Sequence, residues 1–236
     1  MRLLVGIDDT DSLDSDHGTG RVSRMLGAQL ADDHDLDWIG SVRQQFLVDD
    51  RVPYTTHNSA ACLVFEAEAP PIDRIIDDAG LFLAEIMADV ADPGLCVAPA
   101  HDVPAEVTDW GYRAQESVVE KAEAYEVAAA ADVFLDEYGG TGDGVIGALG
   151  AVGLTAAGDA GRFIAFGPIR EYGEQVSVSR LREDGIRVVT EAGETVEDSV
   201  VNTHDWIRPQ LRGGEPTLPV EPEGDEAGVL KPANLD

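Results

Sequence analysis

Leu3-Leu4-Val5-Gly6-Ile7-Asp8-Asp9-Thr10-Asp11-Ser12, continued by Asp16-His17-Gly18-Thr19-Gly20-Arg21, is the stretch whose reading decides the fold. An apolar run of strand length delivers Asp8, Asp9 and Asp11 to its carboxyl end, a further acidic loop follows, and Gly18-Thr19-Gly20 opens a helical pattern. Three carboxylates within four residues repel one another unless a cation or a set of donors gathers them, and hard oxygen ligands of this kind suit Mg²⁺ held together with substrate phosphates. Backbone N–H groups at Gly18 and Gly20, beside a helix start, favour a phosphate, and the hydroxyls of Thr10 and Thr19 stand close by in sequence. Taken alone, Asp11 or Ser12 would serve as a turn or cap residue in a solvated loop. The apolar strand directly before the cluster turns the reading toward a site.

Working outward, Val22, Met25, Leu26 and Leu30 recur at helical spacing, Trp38 to Val48 and Ala60 to Glu68 read as extended, and Ile72 to Val90 reads as a second amphipathic helix. With a short strand at Leu95 to Ala98 the order is βαββαβ, the split arrangement in which two helices cover one face of an antiparallel or mixed sheet. A long helix is expected from Val118 to Tyr138, another at Val145 to Val152, and a strand at Arg162 to Phe166. Val176 to Leu181, Ile186 to Glu191 and Thr195 to Val201 read as three short strands. The expectation is an α+β protein with a nucleotide-binding domain over 1–170, a small β appendage over 171–212, and a flexible acidic tail over 213–236.

The chain has 236 residues with 44% hydrophobic content, ordinary for a globular core, but 46 acidic against 16 basic residues give a formal charge of −30. A dispersed acidic excess with Arg preferred over Lys points to a salt-rich cytosol, where screening reduces self-repulsion. No basic stripe for nucleic acid is visible, a weak argument where the phosphate term is itself screened. Cys62 and Cys96 stand alone and far apart, so neither a zinc site nor a disulfide framework is indicated. No secretory or membrane-spanning segment is expected, which points to a cytoplasmic protein without a membrane partner.

A second phosphate-binding candidate is Gly139-Gly140-Thr141-Gly142-Asp143-Gly144, whose glycines permit close backbone approach; the alternative is a sharp turn between two helices. Asn58 and Tyr54 are candidate polar contacts or loop structure, and His17 a candidate base or a hydrogen-bonded loop residue. His204, Asp205, Trp206 and Arg208 form a polar-aromatic cluster that either plugs the appendage against the main domain or stacks a base.

Gly6-Ile7-Asp8-Asp9-Thr10-Asp11-Ser12 resembles the amino-terminal signature of the archaeal agmatinylcytidine synthetase (TiaS) family, which modifies the wobble cytidine of an isoleucine tRNA. Pro53-Tyr54-Thr55-Thr56-His57-Asn58-Ser59-Ala60 is similar to the family's Pro-Tyr-Lys-Thr-Arg-Gly-Asn-Gly-Ala. Gly140-Thr141-Gly142-Asp143-Gly144-Val145-Ile146-Gly147-Ala148 is similar to its Gly-x-Gly-Arg-Gly-x-x-Gly-Ala. The resemblance implies that Asp8, Asp9 and Asp11 hold Mg²⁺, that Thr19 lies at or near the phosphoryl-accepting threonine, and that Gly140, Gly142 and Gly144 lie near ATP. It also implies a chain without the family's carboxyl-terminal nucleic-acid domain and zinc ribbon. This chain departs where the family carries three basic residues, having Thr55, His57 and Asp143 instead; Arg21, Arg43 and Arg51 are candidate substitutes.

The function expected from these readings is ATP- and Mg²⁺-dependent phosphoryl or nucleotidyl transfer to a small molecule or a partner-presented tRNA. The alternatives are a non-catalytic nucleotide-binding or regulatory paralogue and a complete tRNA wobble-cytidine-modifying enzyme.

Overall fold

A computed structural model describes residues 1–10, 18–52, 58–86, 91–224 and 228–233. Strand β1 (Arg2–Asp8) is followed by helix α1 (Thr19–His34), strands β2 (Asp37–Gln45) and β3 (Ser59–Glu66), helix α2 (Ile72–Ile86) and strand β4 (Gly94–Pro99), the βαββαβ order expected. Strand β1 lies between β3 and β4, antiparallel to both, and β2 pairs antiparallel with β3. Because β1 is covered on both faces, its apolar run is continuous rather than alternating. Leu3, Val5 and Ile7 enter one core with Leu26 and Leu30 of α1 and Ile75 and Leu83 of α2. Leu4 faces a second core on the other side of the sheet.

That second core is built on helix α3 (Ala105–Glu116), helix α4 (Lys121–Ala131) and helix α5 (Gly144–Ala157). Helix α5 is buried along nearly its whole length, with Val145, Ala148, Leu149, Val152 and Leu154 inaccessible, as expected of a helix apolar on every face. The single helix read from Val118 to Tyr138 is corrected: α4 stops at Asp132, which takes a left-handed conformation (φ 55°), and Phe134–Glu137 form strand β5 on the edge beside β4. A left-handed C-cap ends the helical ladder, and a short apolar run after it is ambiguous between helix and strand in sequence.

Strand β6 (Arg162–Ala165) pairs with β2 and carries the sheet into the carboxyl-terminal part: β7 (Gln175–Ser177), α6 (Val178–Glu183), β8 (Arg187–Thr190), β9 (Val200–Asn202), β10 (Gln210–Arg212), β11 (Glu215–Pro222) and β12 (Val229–Pro232). The strand expected at Val176 to Leu181 is mostly helix, since Ser177 caps α6 by accepting from the Arg180 N–H. Residues 213–236 were expected as a flexible tail, whereas β11 bridges β10 and β12 and also pairs parallel with β8, with Thr217, Leu218, Pro219 and Val220 buried. Burial of that short run outweighs the Pro and Glu around it. The described strands form one mostly antiparallel sheet in the order β5-β4-β1-β3-β2-β6-β10-β11-β12-β9-β7, so the fold is α+β as expected.

Candidate functional site

One end of this sheet collects the chemistry. Asp8 ends β1 opposite Gly94, Gly94 faces Glu137 of β5, Gln45 faces Ser59, and Arg43 faces Arg162, so the ends or beginnings of β1 to β6 converge there. The Asp8 side chain lies directly on Gly147 of α5, where a Cβ would overlap the carboxylate. Gly144 sits equally tight against Asp92 and Gly94 backbone, with the Asp8 carbonyl 3.1 Å from where its Cβ would stand. Only glycine lets the first turns of α5 approach the carboxyl end of β1 this closely. Asp9, next in the chain, takes a left-handed backbone (φ 50°) that turns the chain off the sheet.

Thr10 is 2% exposed, and its hydroxyl has no hydrogen-bond partner among the described residues. A buried hydroxyl left unpaired is costly, by about 1–3 kcal/mol, so an orphan of this kind points to a group not yet supplied. Helix α1 then begins with Gly18 as N-cap, without a side-chain cap and without an acidic residue in its first turn; Thr19 is half-buried. Its dipole is therefore uncompensated by a carboxylate of its own first turn. Asp11, His17 and Tyr54 lie outside the described residues. Among the described residues no group of three or more His, Cys, Asp or Glu is arranged to hold a metal ion. Asp8 and Asp9 are the described members of the aspartate trio, and their hard oxygens fit a divalent cation that also takes phosphate oxygens.

The glycine-rich loop arrives at the same end, but Gly140 and Gly142 sit among carboxylates. The Thr141 N–H donates to Asp92 Oδ1, Gly140 abuts the same carboxylate, and Gly142 abuts Glu137. Lys121 Nζ donates to Glu137 Oε2 at 2.9 Å and to the Thr141 carbonyl at 2.6 Å, and its pKa is raised by the hydrogen bond to Glu137 and by the charges of Glu137, Asp143 and Asp92. Of the three glycines singled out, Gly144 touches Asp8 while Gly140 and Gly142 line an acidic turn. Asn58 is used for loop structure: its Nδ2 donates to the Leu47 carbonyl at 2.6 Å, and its own carbonyl accepts from Phe46 N and Gln45 Nε2.

Sequence reasoning missed how the arginines gather. Arg51 is tied locally to Asp49 at 2.8 Å. Arg43 instead donates from Nε to Ser59 Oγ at 3.0 Å, and its pKa is lowered by burial and by the neighbouring charges of Arg162 and Arg208. Arg170 and Arg208 lie 3.7 and 4.1 Å from the centroid of the Trp206 indole, and Arg170 is in turn repelled by Arg24 and Arg208. Trp206 packs on both hydrophobic cores. The repulsion linking these residues comes from α1, β2, β6 and two later loops, a convergence that no local spacing could disclose.

The fold and site thus define an α+β sheet protein whose first strand ends in Asp8, packed against the first turns of a buried helix. Among solved structures the chain is similar to a tRNA fluorescent labeling enzyme, with 24% identity, a TM-score of 0.55, and 65% of this chain and 36% of that chain covered. It is also similar to apo TiaS, a tRNA agmatidine synthetase (23%, TM-score 0.55, 65% and 35%), and to TiaS in complex with its tRNA and ATP (24%, 0.54, 65% and 36%). At these identities the likeness is one of fold, and the match spans little more than a third of those proteins. No family model and no curated protein matches the chain. No described helix is long and apolar enough to cross a membrane.

Proposed function

We propose that the chain is an ATP-using enzyme that transfers a phosphoryl or nucleotidyl group at the carboxyl end of β1. The observation that carries this is the buried Thr10 hydroxyl, without a hydrogen-bond partner among the described residues, which lies in sequence between Asp8–Asp9 and the uncapped start of α1. Resemblance of fold to an ATP-bound tRNA-modifying protein supports the reading. Asp8 and Asp9, with Asp11 beside them in sequence, would hold Mg²⁺, which neutralises charge on the phosphates when bound. The first-turn N–H groups of α1 favour a terminal phosphate near Thr19, whose hydroxyl is the candidate acceptor. Gly144 and Gly147 pack against Asp8 and bring the start of α5 to the end of β1. Arg21 and Arg43 are the candidates to replace the basic residues absent at Thr55, His57 and Asp143.

The second reading is a nucleotide-binding regulator without transfer, favoured by the Asp92 carboxylate that takes the Thr141 N–H a phosphate would otherwise use. Transfer onward to a small molecule or a partner-presented tRNA extends the first reading, and complete tRNA wobble-cytidine modification extends it furthest. Incubation with labelled ATP in high KCl, with and without tRNA, followed by phosphosite mapping, separates the three. ATP consumption with phosphate on Thr19, abolished in Thr19→Val, supports transfer. Binding without consumption favours the regulator, and label on tRNA that depends on the protein supports complete modification.

A further inference from the structure

We propose that Arg24, Arg43, Arg170 and Arg208, flanked by Arg21 and Arg162 and with Arg170 and Arg208 held on the Trp206 indole, form an anion-binding surface for a ligand that presents two or more adjacent phosphates. The chain has 14 arginines and 2 lysines against 46 acidic residues, so a random arrangement would leave each guanidinium beside a carboxylate. Elsewhere four do so, Arg2 with Glu66, Arg51 with Asp49, Arg113 with Glu123 and Arg180 with Asp184, while the arginines that do not, such as Arg187 on Thr217 and Arg212 on Gln210, are dispersed rather than gathered. Arg21, Arg24, Arg43, Arg170 and Arg208 form no salt bridge among the described residues. Their satisfied donors go to neutral oxygens: Arg24 to the Gly20 carbonyl at 2.6 Å, Arg43 to Ser59 and Gln45, and Arg170 to the Ile164 carbonyl at 3.0 Å. Asp205 is the carboxylate whose charge reaches Arg170, from beyond pairing distance.

Holding Arg24, Arg43, Arg170 and Arg208 together with no paired carboxylate among the described residues is unfavourable, and it is sustained here by packing. The Trp206 indole carries two guanidiniums, a cation–π arrangement that fixes their planes, and Trp206 itself is anchored in both cores. Planar guanidiniums with several donors each match phosphate oxygens better than lysine would. A single small anion would not offset four or more charges spread over α1, β2 and the loops after β6 and β9. A row of phosphates would. The surface borders α1 on the side of the half-exposed Arg24 and shares Arg21 and Arg43 with the proposed transfer site, but it is argued from the arginine geometry and read on phosphate binding, so it can fail while that reading stands.

Two probes test it: a short labelled single-stranded oligonucleotide of mixed sequence, read by fluorescence anisotropy in a KCl series, and tripolyphosphate as competitor. Wild type is expected to bind the oligonucleotide, and Arg43→Gln and Arg208→Gln to weaken it by about tenfold each, the size of one charge-assisted hydrogen bond. Each is also expected to flatten the dependence of log affinity on log salt by about 0.7. Arg74→Gln, exposed on α2, should leave both unchanged, and Arg43→Lys and Arg208→Lys should each weaken binding less than the glutamine substitution at the same position. Displacement by tripolyphosphate at comparable concentration identifies a free polyphosphate as the source, and failure to displace identifies a nucleic-acid backbone. In wild-type protein, bound ligand should protect Arg43, Arg170 and Arg208 from phenylglyoxal while leaving Arg74 reactive. Asp9→Asn, which removes the proposed nucleotide site, should bind the oligonucleotide as wild type does. Absence of binding to either probe, unchanged affinity in both glutamine variants, or protection spread evenly over all arginines would overturn the proposal.

Discussion

The carboxylate of Asp8 rests on Gly147, joining the end of the first strand to the first turns of a helix more than a hundred residues away in sequence. The end of β1 and the glycine-rich segment are therefore one structural unit, in which Gly144 approaches the Asp8 backbone and Gly147, which was not singled out, meets the carboxylate.

Gly147→Ala should displace Asp8. Alanine favours a helix by about 1 kcal/mol, but the overlap with a short side chain anchored on a central strand should outweigh it. A net loss of about 1–2 kcal/mol in denaturant unfolding is expected, accompanied by weakened nucleotide affinity. Unchanged stability and affinity would show that Asp8 is not held there.

Removing residues 213–236 should unfold the carboxyl-terminal part of the sheet, because Thr217, Leu218 and Val220 are buried and β11 joins three strands. Loss of two such apolar side chains is worth about 3–6 kcal/mol by transfer alone. Hydrogen exchange should show lost protection across β8 and β10 in the truncated chain. Retained protection would restore the reading of this segment as a dispensable tail.

Burial pushes the Cys62 thiol up to about 12 from an ordinary 9.0, and Cys96 beside it is raised well above the same value, also by burial first and by Cys62 second. Between those values the unfolded chain has lost thiol protons that the native chain keeps, so this contribution to stability is intact below pH 9 and falls as pH rises toward 12. Both thiols should resist alkylation in native protein at about pH 8 and react on unfolding. Rapid native labelling would contradict their burial.

Self-repulsion from a net charge of −30 should loosen the fold as the Debye length grows from about 3 Å at 1 M salt to about 10 Å at 0.1 M. Melting midpoints should fall steeply across that range. A midpoint indifferent to KCl would remove the halophilic reading.

How much of this was legible in the sequence depends on the reach of each interaction. Leu3 to Ile7, buried on both faces, and the amphipathic runs of α1 and α2 disclose themselves by local periodicity, and so the βαββαβ order was readable. Strand β5 was hidden because Ala and Glu favour a helix up to Asp132, where a left-handed cap ends it. Helix α3 was missed although Val107, Trp110 and Ala114 recur at helical spacing, and that spacing was the available signal. Strand β11 was hidden because Pro216, Pro219 and Pro222 dominate its composition, while its burial depends on partners distant in the chain. At the candidate site, Asp8, Asp9, Thr10 and Thr19 were proposed from their order along one strand, loop and helix. The occupation of Thr141 by Asp92 and the arginine cluster around Trp206 are tertiary, and no motif encodes them.

The central claim, that the end of β1 binds a metal-bound nucleotide, is tested most directly by calorimetry of Mg-ATP binding to wild type, Asp8→Asn and Asp9→Asn in high KCl. Wild type is expected to bind, and each substitution to weaken binding about tenfold or more, since it removes one charged ligand. Equal affinity in all three proteins would contradict the claim.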